Sequence, residues 1–169
     1  MRLINFCLIL TFIFFLSCAK EEKNVEVIQE KEINLQMIDA YEEGIEILET
    51  GDGLLAAKKF SEAELLFPQS IWAPRSALMA AYSYYSQNYY ADSIAELNRF
   101  LRVYPKYKDK AYAEYLLALC YYEQIVDEKK DLESIEKSKE VFLRLIQNYP
   151  ETDFALDAEF KLNLINDIL

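Results

Sequence analysis

The 169-residue sequence has no histidine, which removes the side chain most used for acid–base work and metal ligation near neutral pH. Only three cysteines, far apart in the chain, and three glycines, Gly44, Gly51 and Gly53, are present, and they form neither a Cys-rich metal cluster nor a glycine-rich phosphate-loop motif. Positive charge is scarce as well: 18 Lys and Arg stand against 29 Asp and Glu, and a phosphate backbone would be repelled. The many carboxylates, such as Glu21-Glu22 and Glu42-Glu43, fall on tether-like stretches or outward helical positions rather than in catalytic pairs. These absences exclude a cofactor, a resident metal and a nucleic-acid partner, and they read as a protein that is not an enzyme.

Long apolar runs are also missing. The longest, residues 6–16, has eleven residues, against the ~20 a membrane-spanning helix needs. Behind the positive Met1-Arg2 end it reads as a secretory signal over residues 1–17. It is followed by Leu16-Ser17-Cys18-Ala19, which resembles the bacterial lipobox, with Phe15 where leucine is usual. That resemblance implies a lipidated Cys18, and a residue other than aspartate after it, here Ala19, goes with outer-membrane sorting. Removal of the signal takes Arg2 and no acid, leaving 17 cations against 29 anions. Residues 18–34 then form the lipidated cysteine and a charged, flexible tether. With Cys7 lost and Cys18 acylated, Cys120 has no partner for a disulfide, and its neighbours Leu116, Leu117 and Leu119 place it in a helical core.

The rest is periodic. Phe67-Pro68, Tyr104-Pro105 and Tyr149-Pro150 recur at 37 and 45 residues, and Gly44, Ala81 and Ala118 recur at 37. Proline ends a helix because it lacks an N–H and clashes with the preceding turn. Small residues let a second helix approach. Two landmarks at one period predict an array of helical hairpins that bury their apolar faces only against one another. The residues resemble the tetratricopeptide repeat (TPR) in Gly44, Ala56, Phe60, Ala63 and Pro68, while the second unit substitutes Ser93, Leu97 and Phe100 at the last three helical positions. The expected fold is all-α, with TPR-like hairpins stacked as a right-handed superhelix over 35–169: repeats at 35–68, 74–105 and 109–150, and a final helix at 153–169. Gly51-Asp52-Gly53 should form the first turn, Asp109 should cap the third repeat, and the charged stretch VDEKKDLES should be an insertion. Ala158, Leu162, Ile165 and Leu169 end the chain on an apolar stripe, and the expectation is that a longer protein continues beyond it.

A second stripe, one residue off the packing face, runs through the first helix of each repeat: Tyr41, Ile45 and Leu48; Leu78, Tyr82 and Tyr85; Tyr115, Leu119 and Tyr122. In a TPR superhelix such positions line the concave groove that holds extended peptides. Tyrosine suits that task, with a large apolar ring and a hydroxyl for a peptide backbone. The alternative is that these rings only fill gaps between helices.

LSCA, AYEEGIEILETGD with AAKKFSEAELLFPQS, and AYAEYLLALCYYEQI followed by a charged insert and VFLRLIQNYPETDFALDAEFKLNLINDIL together resemble the BamD family, TPR-containing lipoproteins of the outer-membrane β-barrel assembly machinery. The likeness covers nearly the whole mature chain, which is short at the C-terminus relative to the family's five or so repeats. It implies an anchor in the outer membrane on the periplasmic side. It also implies contact with the POTRA region of a BamA-like barrel subunit and with other assembly lipoproteins, and reception of unfolded outer-membrane proteins. The C-terminal repeats that carry much of the BamA contact in that family have no counterpart in this sequence. The alternative reading is another TPR lipoprotein scaffold, serving pilus or secretin assembly. A cell-wall enzyme would instead need a polar catalytic cluster in the groove.

The anchor is testable directly. Cys18→Ser should abolish lipidation and move the protein out of the membrane fraction. Mass spectrometry of the mature N-terminus checks this, and an unmodified terminus at any other residue rules the lipoprotein reading out.

Overall fold

The computed structural model describes residues 25–126 and 132–168. The expected signal peptide, Cys18, residues 19–24 of the tether and residues 127–131 of the insertion lie outside them. The chain divides into Met1–Glu32 and Ile33–Leu169, and the packing below belongs to the second unit. The described helices are α1 (Val25–Glu49), α2 (Gly53–Leu66), α3 (Ala73–Ser86), α4 (Tyr90–Val103), α5 (Lys110–Val126), α6 (Leu132–Asn148) and α7 (Asp153–Ile168). They pack as TPR-like hairpins, α1 with α2, α3 with α4 and α5 with α6, and α7 lies against α5 and α6.

One boundary differs from expectation. Helix α1 begins at Val25, so residues 25–34, expected to be flexible tether, are helical. The stretch has no proline or glycine, and Gln29, Glu30, Lys31 and Glu32 are strong helix formers that need no burial to stay helical. High charge argues against a core, and it does not argue against a solvated helix.

Turn chemistry joins the hairpins. Gly51 adopts φ 89°, a left-handed conformation that favours glycine. Asp52 caps α2 by accepting the Leu55 N–H at 3.0 Å. At α3 the Ser70 hydroxyl accepts the Ala73 N–H at 3.1 Å and Pro74 sits in the first turn, where its missing N–H costs nothing. At the start of α5 the Asp109 backbone carbonyl accepts the Ala113 N–H at 3.1 Å, the first hydrogen bond of the helix.

The core is laid down by the repeat. Phe60, Leu97 and Phe142 occupy one position of successive second helices, Ala63, Phe100 and Leu145 another, and all six are wholly buried. Opposite them stand Gly44, Ala81 and Ala118. A methyl group on Gly44 would lie 2.9 Å from the Phe60 ring, so the ring itself occupies the place of a side chain. The third position carries Ala56, Ser93 and Ser138, and both serines bond across the hairpin: Ser93 Oγ donates to the Ala81 carbonyl at 2.9 Å and Ser138 Oγ to the Ala118 carbonyl at 3.3 Å. Buried hydroxyls thereby find acceptors without leaving the packed face. Cys120 donates to Ser93 Oγ at 3.3 Å, and burial pushes its thiol up to about 11, so it stays protonated in the core.

Two carboxylates depart from the expected outward placement. Glu64 on α2 is buried, bound by both guanidinium nitrogens of Arg99 on α4 and by the Tyr104 hydroxyl at 2.6 Å. Glu114 on α5 is buried and accepts from Arg144 on α6 at 3.2 Å, with Lys110 at 3.6 Å. Arg99 and Arg144 are 45 residues apart, the period between the second and third prolines of the repeat. Each buried charge is thus matched by an arginine, through two nitrogens at Glu64 and through Nε, with Lys110 beside it, at Glu114, and this pairing offsets its desolvation.

Ala81 is wholly buried between two helices. Ala81→Leu should therefore overpack that approach and lower stability by about 1–3 kcal/mol, read as a fall in melting temperature. An unchanged Tm would remove Ala81 from the packed face.

Candidate functional site

The first turn of α3 is the centre of the candidate site. Arg75 projects from it with its guanidinium carbon 5.3 Å from the Trp72 ring centroid and 5.5 Å from that of Tyr41. Tyr41 in turn meets Phe60 and Trp72 edge to face, at 5.2 and 5.4 Å. The cation is held on a ring platform that is itself fixed in the core. The Tyr41 hydroxyl is buried with no hydrogen-bond partner among the described residues.

Arg75 lines three adjoining clefts. The first, about 360 Å³, lies between α1 and α3 and is walled by Met37, Ile38, Tyr41, Ile45 and Trp72, with Glu42 and Glu46 alongside. The second, about 630 Å³, runs from Leu78, Met79 and Tyr82 on α3 to Ala111 and Tyr112 on α5, and on to Thr152 and Phe154 at the head of α7. The third, about 470 Å³, is bounded by Ile71, Trp72, Tyr107, Lys108 and Asp109 in the turns before α3 and α5. Tyr107, Lys108 and Asp109 also border the second cleft. Burial holds the Tyr107 hydroxyl above its ordinary range, helped by Asp109 and opposed by the nearby Arg75 charge.

The nine residues of the offset stripe separate in the structure. Tyr41 and Ile45 border the first cleft, and Leu78 and Tyr82 the second. Of these four Tyr82 is the most exposed, at 36%. Leu48 packs partly buried on the first core cluster, and Tyr85 lies against Tyr90 with ring centroids 5.9 Å apart; neither borders any of the three clefts. In the third repeat the stripe is covered. Tyr115 stacks on Phe154 at 5.2 Å and donates to the Asp157 carboxylate at 2.6 Å, Tyr122 meets Phe142 with Lys161 over its ring at 4.9 Å, and Leu119 is core. The reason is architectural. The offset stripe of one first helix is where the next first helix packs, and α7 takes that place on α5.

Trp72, Arg75, Tyr107, Lys108, Asp109 and Phe154 were not legible as site residues, because most lie in turns or first helical turns outside the 37-residue periodicity of the helices. A usable signal did exist in Trp72 and Arg75, three apart at a helix start, a spacing that stacks a cation on a ring.

The alignments agree with this architecture. A family described as Outer membrane lipoprotein (YfiO) matches residues 34–169. The chain belongs to this family. Among its relatives is the outer membrane protein assembly factor BamD of Caulobacter vibrioides, 37% identical over 153 residues, which is 90% of this chain and 49% of that protein. BamD of Rickettsia prowazekii is 36% identical over 76% of this chain and 51% of its own length, and BamD of Neisseria meningitidis is 24% identical over 90% and 61%. The chain spans about half the length of the first two of these curated relatives. No described helix of this member of the YfiO family is long and apolar enough to cross a membrane.

Ring burial has a pH consequence. Burial is the main cause that pushes Tyr85 and Tyr112 up to about 12 from the usual 10, and it also raises Tyr84, Tyr104, Tyr107 and Tyr115. An unfolded tyrosine ionises near 10, so above that pH the folded state binds more protons than the unfolded one. The stability these groups contribute is whole below pH 10 and is lost as pH climbs through about 12. Phenolate absorbance should therefore rise together with loss of helical circular dichroism in that window. Ionisation of all thirteen tyrosines near pH 10 in a fully helical protein contradicts the burial of these rings.

Proposed function

We propose that this chain is a lipid-anchored, non-enzymatic subunit at the periplasmic face of the outer membrane that takes part in β-barrel protein assembly by holding extended segments of its partners. Residues 1–17 act as the signal, Cys18 carries the lipid, and the hairpin array is the binding part. Membership of the outer membrane lipoprotein family and kinship with proteins named outer membrane protein assembly factors support this reading. Its partners are then unfolded outer-membrane proteins, a BamA-like barrel subunit through its POTRA region, and companion lipoproteins.

The observation that carries the proposal is the run of clefts around Arg75, walled by Tyr41, Ile45, Leu78, Met79, Tyr82 and Tyr112 from three successive hairpins. Apolar walls of this kind with a few polar groups suit an extended segment whose side chains alternate. The nine stripe residues contribute unequally. Tyr82 offers free surface to a ligand, while Tyr115 and Tyr122 hold α7 behind the groove and Leu119 lies in the core.

Tyr82→Ala should weaken binding of an unfolded outer-membrane-protein segment by about 1–2 kcal/mol with little change in Tm. Tyr84, half-buried on the first core cluster, is the control: Tyr84→Ala should lower Tm first. Titration of a labelled β-strand peptide against the full chain, with melting curves for each variant, makes the measurement. Parent-like affinity in a folded Tyr82→Ala protein removes this groove from the proposal.

A further inference from the structure

Arg75 borders all three clefts, so it stands where they meet rather than at an end. A segment that runs from the first cleft to the second passes its guanidinium midway. None of the ion pairs among the described residues engages Arg75 or Lys108. Asp109 shares the space, bordering the second and third clefts. The two rings beneath Arg75 hold its planar group while leaving its N–H donors free. On one of those rings the buried Tyr41 hydroxyl is also without a hydrogen-bond partner among the described residues. A fork of donors fixed in place and lacking an anion is the half-site of a carboxylate.

We propose that the groove selects an acidic residue at the middle of the segment it holds, with the carboxylate on Arg75 and Lys108 and apolar side chains on either side in the first and second clefts. This inference rests on the peptide-groove reading above and adds a ligand class to it. In an extended chain every second side chain points the same way, so the acid lies between two apolar residues of one face. Register is enforced from the other side. Glu42 and Glu46 border the first cleft and repel an acid shifted toward it. A terminal carboxylate would suit an anion site at the end of a groove, and this one is at the junction.

The test uses the full chain in detergent and short extended peptides amidated at the C-terminus, with a central Asp, Asn or Lys flanked by aromatic residues. The Asp peptide should bind about tenfold more tightly than the Asn peptide. Arg75→Gln should erase that preference, and Arg75→Lys should restore only part of it. Melting curves establish that the variants fold. Equal affinity for Asp and Asn peptides, or a preference that survives Arg75→Gln, overturns the proposal. So does a peptide that gains affinity only when its C-terminal carboxylate is freed. In each of those cases a loss of binding in Tyr82→Ala leaves the groove reading standing. If neither peptide binds the parent at all, both readings fall.

Discussion

The closeness with which a first helix approaches the second helix of its own hairpin governs this molecule. At Gly44 the Phe60 ring lies where a methyl group would stand. At Ala81 and Ala118 a serine hydroxyl from the facing helix reaches the backbone carbonyl. Both contacts require the small residue. A hairpin assembled this way still exposes an apolar face, because two helices cannot enclose a core between them. Ala80 of α3 belongs to the first core cluster while Ala77, Leu78 and Ala81 belong to the second. One helix thus serves two cores, and the hairpins are stable as a stack.

Electrostatics tightens the stack. Glu64 ties the first hairpin to the second through Arg99 and Tyr104, whereas Glu114 draws on Arg144 and Lys110 within the third. Carboxylates at those depths require matched donors, and the repeating arginine on the second helices supplies them. Much of the remaining negative charge stays on the outside. Arg75 differs from Arg99 and Arg144 in having aromatic rings instead of a carboxylate beneath it.

Site and scaffold meet in the first turn of α3. Tyr41 and Trp72 are structural, since they close the first cluster over Phe60, and they are also the surface on which Arg75 lies. The groove is thereby preorganised by the core. A ligand that meets groups already held in place loses less of its binding energy to ordering them. Helix α7 performs a similar service further along, with Phe154 stacked on Tyr115 and bordering the second cleft.

The hairpin architecture was legible from the chain alone because its causes are local and repeat. Small residues at one interval, apolar stripes of helical period and proline stops act within a few turns of where they stand. Helical residues 25–34 were missed because charge was read as disorder where intrinsic propensity is enough. Half of the candidate groove was missed for another reason. Tyr82 and Tyr122 occupy equivalent offset stripes at neighbouring heights, yet one faces a cleft and the other lies beneath α7. Tyr107 and Lys108 join Arg75 only because the stacking of hairpins brings two turns, 37 residues apart, to one edge. Periodicity along a helix decides which side chains share a face. What that face meets depends on the next helix in space, and only the tertiary structure decided that.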